Sequence, residues 1–459
     1  MEPLAGDVSP AVMNRALRRR GLPELSSVQL SQFASRYRRQ AYGMSRSTMS
    51  FDDLRSWCQS KVANEADRHL PYVKRFRVDA TTQESCFLLT TPKLEEVSNR
   101  ALTIAVDATY RVNWNGIPMF VAGLVDAAGS FRLTHAGLMS SEDEYDFLFL
   151  FAGILSETTT AVIADNAPAI TSALERYDVR RINCWAHMIR AVDCKLRALP
   201  DREERLAIRS ALTDVLQLAT SPQEFERFAI LVQVYWLQRG SDQARRFFLY
   251  FKEQWLIACP HWYEGYAHGV PSTNNGLEST NSYIKDSFFH RRRPLLAEAL
   301  ATMETMMTEF SRTHDDALAV FRPVAVSRTP TEMMMANGYR WLMTDQRSSA
   351  SFFLPIDDVH IFEWCDDLHP DAKRELFRRR LETWETLIQF REVCGIIDAS
   401  SRCNCRESLK NGYCVHSIAF QHLKGIVLVP EHLRALSIPQ RRRRGRPRHV
   451  RGGAPLMRN

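Results

Sequence analysis

Two groups of residues in this 459-residue chain have types and spacings suited to chemistry. Towards the C-terminal end, Cys403, Cys405, Cys414 and His416 spell C-x-C-x8-C-x-H. Zinc takes four soft or borderline ligands in a tetrahedron, and two close pairs separated by the turn-forming Lys410, Asn411 and Gly412 supply such a set. The second group is three carboxylates. Asp107 closes the strand-like run 102–106, in which Leu102, Ile104 and Val106 point one way and Thr103, Ala105 and Asp107 the other. Asp165 closes the run 161–164 in the same manner. Aspartates leaving the ends of adjacent buried strands would share one sheet edge, where open α/β sheets bind ligands. Glu278 stands on a helix that Asn274 or Asn275 can cap, on the face that also carries Asn281, Ser282 and Lys285, so a third carboxylate can approach across the sheet. Hard cations want carboxylate oxygens, and such a triad suits two Mg²⁺ or Mn²⁺ ions acting on a phosphodiester. Asp126, which opens an Asp-Ala-Ala-Gly turn, is read as a turn residue instead.

The elements that must hold these residues are legible in outline. Residues 1–95 read as mostly helical, with two short helices around Pro23 and a strand at 85–91. Arg18, Arg19 and Arg20 read as a solvated face within reach of phosphate. From 101 onward, short apolar runs form a strand, then a hairpin turning at 126–129, then alternating helix and strand, which means a mixed α/β sheet. Strand signals vanish over about 195–270, a helical insertion before Glu278. Residues 291–345 read as a helical linker, and Met303, Met306 and Met307 in it as a packing stripe.

The blocks VDATYRVNWNGIPMFVAGLVDAAGSF, VIADNAPAI, CWAH and STNNGLESTN resemble, in order, those of Mutator-like (MULE) transposases over roughly residues 85–290. The resemblance implies a ribonuclease H-like catalytic domain at 96–290 with Asp107, Asp165 and Glu278 as its DDE triad. It implies DNA strand cleavage and strand transfer with two divalent ions, acting on element ends and target DNA. Similar transposases carry a Cys/Asp-x-x-His element, matched by Cys184 and His187; two such residues cannot close a zinc site, so a metal, DNA or structural role stays open. The Cys/His pattern at 403–416 resembles the SWIM zinc finger, with the helix after Cys414 carrying its last ligand, and sets a zinc module at 346–430. Strand transfer holds two ends together, so a homodimer on DNA is expected.

The remaining cysteines, 58, 86, 194, 259, 365 and 394, have no ligand spacing and read as reduced core thiols. The net charge of +7 is more than supplied by eight arginines in 441–459, which leaves the rest of the chain near neutral. Within 431–459, Arg444, Gly445, Arg446 and Pro447 look like an AT-hook, a segment for the narrow minor groove of A·T-rich DNA, and the arginine run also reads as a nuclear localisation signal. The longest apolar run, 147–155, is far short of a membrane span, so no membrane partner is expected. A second reading is a domesticated, transposase-derived transcriptional regulator that binds DNA without catalytic activity. It is favoured by the lack of a zinc-type pattern in 1–95, where only Cys58 and Cys86 occur.

Overall fold

The computed structural model describes residues 49–64, 66–126, 130–318, 330–344, 354–356, 359–363, 369–398 and 400–435, with a few single positions before 49. Arg444, Gly445, Arg446 and Pro447, Arg18 to Arg20, most of the stretch around Pro23, and 127–129 of the hairpin turn lie outside the described residues.

Seven strands form one mixed sheet: β1 (Tyr72–Asp79), β2 (Glu84–Thr90), β3 (Thr103–Thr109), β4 (Met119–Val125), β5 (Phe131–Met139), β6 (Ala161–Ala164) and β7 (Arg180–Asn183), in the order β1-β2-β5-β4-β3-β6-β7. The strands from β1 to β3 in that order pair antiparallel, while β6 lies parallel to β3 and β7 parallel to β6. An antiparallel meander continued by two parallel strands through helical crossovers is the ribonuclease H-like arrangement expected. Alternation sorts the side chains. Phe87 and Leu89 of β2 join one apolar cluster, and Cys86 and Leu88 the other. The short β6 is buried at every position, as a strand covered on both faces must be.

One face is covered by α1 (Phe51–Ser60), α9 (Asn275–Ser287) and α10 (Leu296–Leu318), and the other by α3 (Glu144–Ile154) and α4 (Pro168–Leu174), while α2 (Pro92–Ser98) gives Leu94 to the first cluster and Val97 to the second. The acidic start of α3 follows from its cap, Asp143, which accepts the Asp146 N–H. After β7 come α5 (Trp185–Leu196), α6 (Arg202–Ser210), α7 (Pro222–Arg239) and α8 (Asp242–Phe251), packed around Trp185, Phe225, Phe248, Phe251 and Trp262. This is the helical insertion.

Two expectations change. β2 is the strand expected at 85–91, whereas residues 72–79, assigned to a mostly helical region, form β1 beside it, and the two extend the sheet beyond β5. A bulge between Val73 and Arg75 breaks the alternation of β1, so Val73, Phe76 and Val78 meet the core without a period of two in sequence. Residues 296–318 are no mere linker, because Met303, Met306 and Met307 of α10 are fully buried against the sheet. Beyond them, α11 (Glu332–Thr344), the strands β8 (Leu354–Ile356), β9 (Val359–Glu363) and β10 (Cys394–Ile397), and the helices α12 (Pro370–Arg379), α13 (Trp384–Val393), α14 (Arg406–Asn411) and α15 (Val415–Leu423) make the C-terminal module. If the methionine stripe is sheet core, Met303→Ala leaves a cavity and costs about 2–5 kcal/mol, read as a lower guanidinium midpoint for the sheet; an unchanged midpoint contradicts that placement.

Candidate functional site

The parallel register of β3 on β6 pairs Thr103 with Ala161, Ile104 with Val162 and Ala105 with Ile163. Carried two residues further, it sets Asp107 level with Asp165 at one edge of the sheet. The two carboxylates differ in surroundings. Burial pushes the Asp107 carboxyl from 3.8 up to about 7, helped by the Asp165 charge and, more weakly, by Glu278. Asn281 on α9 donates its Nδ2–H to Asp107 Oδ2 at 2.9 Å, which leaves the buried Asn281 Oδ1 with no hydrogen-bond partner. Asp165 Oδ1 accepts the Ala167 N–H at 3.1 Å. Behind it the buried Arg181 guanidinium donates to the carbonyls of Ala164, Ile182 and Asp165, fixing the turn after β6. Burial lowers Arg181 only to about 10, so it stays a cation at neutral pH.

Helix α9 is aimed by Asn274. Its N–H donates to Cys184 Sγ at 3.2 Å and its Nδ2–H to the Val106 carbonyl at 3.0 Å, while the Cys184 N–H donates to the Ala164 carbonyl at 2.9 Å. Cys184 thus joins the start of α9 to the ends of β3 and β6. One turn into α9, Glu278 meets Arg190, whose Nη2 lies 2.6 Å from Oε1, and His187, whose Nε2 lies 3.6 Å from the same oxygen. Burial holds the His187 imidazole below its ordinary value, against the pull of the Glu278 and Asp165 charges. Asp107 and Asp165 therefore adjoin, with Glu278, Asn281, Cys184 and His187 on the same edge. The oxygens of the three carboxylates do not all lie within 4.8 Å of one another. Among the described residues, the only Cys, His, Asp and Glu group with all its ligand atoms within 4.8 Å is the C-terminal one. Sequence reasoning did not select Arg181 or Arg190, since an arginine carries no spacing signal; Arg190 lies one turn past His187 on α5, which is the sole hint.

Residues 103–190 match the family model of the MULE transposase domain. The chain carries a MULE transposase domain. No curated protein matches the chain. The matched segment begins at the first residue of β3 and ends on α5, so the transposase domain contains Asp107, Asp165, Cys184 and His187, and Glu278 follows it after the insertion.

The second candidate site lies in the C-terminal module. The ligand atoms of Cys403, Cys405, Cys414 and His416 gather within 4.8 Å, with His416 Nδ1 3.7 Å from Cys403 Sγ and 3.6 Å from Cys414 Sγ. Cys403 bridges to Ile397 at the end of β10, Cys405 caps α14, Cys414 caps α15, and His416 lies on α15, the helix expected after Cys414. The loop between the pairs is partly helical and stops at Gly412, whose φ of 81° suits glycine. Three thiols this close cannot all ionise alone. Burial pushes Cys403 well above its ordinary value, whereas Cys414, hydrogen-bonded by the Cys403 and Cys405 thiols, is pushed down. A divalent cation relieves both conditions, so this donor set can bind zinc.

The module is fastened to the insertion. Arg406 Nη2 donates to the Thr213 carbonyl at 2.6 Å and to Asp214 at 2.8 Å, Lys410 lies 3.7 Å from the buried Glu264, and Trp384 and Leu387 enter the insertion's core. Glu264 also accepts from Gln217 at 3.0 Å and from Ser272 at 2.9 Å, close before α9. Zinc bound here should be stoichiometric by metal analysis in the wild type and lost in Cys414→Ser, with the insertion's melting lowered as well; metal-free wild-type protein would contradict the site.

For Asp107 the sign of the pH effect follows from its raised value. Between 3.8 and about 7 the folded chain keeps a proton that the unfolded chain releases, so its contribution to stability is lost as pH rises through 7. Without divalent cations, the melting temperature of wild type should fall relative to Asp107→Asn between about pH 5 and about pH 8. A constant difference across that range would refute the buried, charge-coupled state.

Proposed function

We propose that the protein is a DNA transposase of the Mutator-like type, which cleaves DNA and transfers strands with Asp107, Asp165 and Glu278 as a DDE triad. The observation that carries this reading is the pair of aspartates at neighbouring parallel strand ends inside a MULE transposase domain. The residues suit two Mg²⁺ or Mn²⁺ ions. Asp107 is destabilised as a lone buried anion, and the unpartnered Asn281 oxygen adds a neutral donor beside it. When bound, such ions activate the attacking oxygen of water or a 3′-hydroxyl and stabilise the leaving oxygen.

The chain's own residues do the rest. Asp107 and Asp165 would hold the ions, Asn281 orients Asp107 through its amide, and Arg181 fixes the backbone on which Asp165 stands. Glu278 would complete the set from α9 on exchanging Arg190 for a cation, and His187, neutral at working pH, keeps contact with it. The C-terminal module with its zinc and the arginine tail would hold DNA, the tail also directing the chain to a nucleus. Two copies would bind the two element ends.

The second reading, a regulator that binds DNA without cutting, has one observation in its favour beyond sequence: Glu278 is engaged by Arg190 rather than gathered with the aspartates. Supercoiled plasmid with Mn²⁺ separates the readings. Wild-type protein should nick it, Asp165→Asn should not, and Asn281→Ala should lose roughly 10–100-fold in activity or metal affinity. Folded wild-type protein that cuts neither plasmid nor DNA with the element's own ends supports the regulator.

A further inference from the structure

The loop 110–117 leaves β3 just after Asp107 and is locked in place. Val112 and Asn113 are buried, the Asn113 side chain exchanges two hydrogen bonds with the Ile117 backbone at 2.7 and 3.0 Å, and the Trp114 N–H donates to the Pro294 carbonyl at 2.7 Å. From this rigid loop the Trp114 side chain stands 73% exposed, and Tyr110 at its start 49% exposed. The indole makes no ring contact among the described residues. Leaving so large an apolar ring in water on a fixed loop gives up burial that a mobile loop could recover.

The Tyr110 hydroxyl donates to Glu142 at 2.6 Å, and cations lie on the loop itself and on the segment its backbone bonds to. Arg111 and Arg293 are exposed and have no acidic partner among the described residues, and Arg291 is shared with Asp286 at 3.0 Å. Burial holds the Lys285 ammonium below its ordinary value, with Asp107 opposing and Arg291 and Arg111 adding to the shift, so these four charges are neighbours. Arg111 and Arg291 also adopt left-handed backbone, φ 66° and 54°, which non-glycine residues enter only when the surroundings impose it.

We propose that Trp114 and Tyr110, rimmed by Arg111, Lys285, Arg291 and Arg293, form a stacking platform for unpaired DNA bases beside the carboxylate edge. An exposed indole face meets a base only where the base has left the helix, and cations beside it follow the phosphates of that strand. Asp107 is half-buried, so a phosphodiester reaches it by departing from the regular duplex path; the bases unstacked on the way find their partner on the preformed loop. Holding the ring in place beforehand removes the ordering cost from binding. The platform rests on the transposase reading for its substrate being DNA, and its test does not depend on cleavage.

The full chain, with its zinc retained, is titrated without added Mg²⁺ or Mn²⁺ in roughly 0.3 M salt, where the arginine tail is largely screened, with a labelled single-stranded oligonucleotide and with the same sequence as duplex. Trp114→Ala should weaken single-strand binding by about tenfold or more and leave duplex binding within about twofold, while Trp114→Phe retains most of the affinity. Equal loss on both substrates, or none on either, overturns the platform. A monomer–dimer shift on Trp114→Ala without change in single-strand affinity assigns the patch to a second copy of the chain and equally overturns it. Because neither Mg²⁺ nor Mn²⁺ is added, plasmid nicking that fails in its own assay while the tryptophan-dependent preference persists removes the catalytic reading alone.

Discussion

Two carboxylates at the ends of neighbouring parallel strands are the constraint that the rest of the structure serves. A half-buried Asp107 beside the Asp165 charge is poorly placed as a free anion. The chain surrounds the pair with fixed polar groups: Arg181 under the turn after β6, the Asn281 amide on Asp107, and Asn274 with Cys184 locking α9 against the strand ends. None of these neutralises the pair outright. Asp107 is left disfavoured as an anion with an orphaned oxygen donor beside it, which is the electrostatic condition a divalent cation resolves.

What could be read from the sequence was what repeats at a fixed period or spacing. The alternation in β3 oriented Asp107 correctly, since Ile104 and Val106 enter one cluster and Ala105 the other. The paired Cys/His spacing identified a group that the fold does bring together. Elements that break their period escaped. The bulge in β1 hid an edge strand, and the helical period of α10 announced a helix without saying that its methionines would face the sheet. Arg190 escaped for a different reason: a salt bridge to Glu278 across 88 positions leaves no trace in local composition. Long-range pairing of this kind is set by how α5 and α9 lie together, a tertiary fact.

Cys184 illustrates how a residue open to several roles acquires one from its bonds. Its sulfur accepts an N–H from the start of α9 and its own N–H caps β6, so it acts as a joint between three elements. His187, one turn along α5, faces Glu278 instead. The two halves of one short motif serve backbone placement and carboxylate contact respectively.

The attachment of the C-terminal module to the insertion also determines how the molecule can be divided. Trp384 and Leu387, some two hundred residues beyond β7, complete the apolar core around Phe225 and Trp262, and Arg227 donates to the Leu381 carbonyl at 2.8 Å. Chain cleaved or terminated before these residues would leave the insertion with an open apolar notch directly behind the segment leading to α9. A stop codon or protease acting far downstream of the carboxylates therefore reaches the insertion through the loss of Trp384, Leu387 and the bonds beside them.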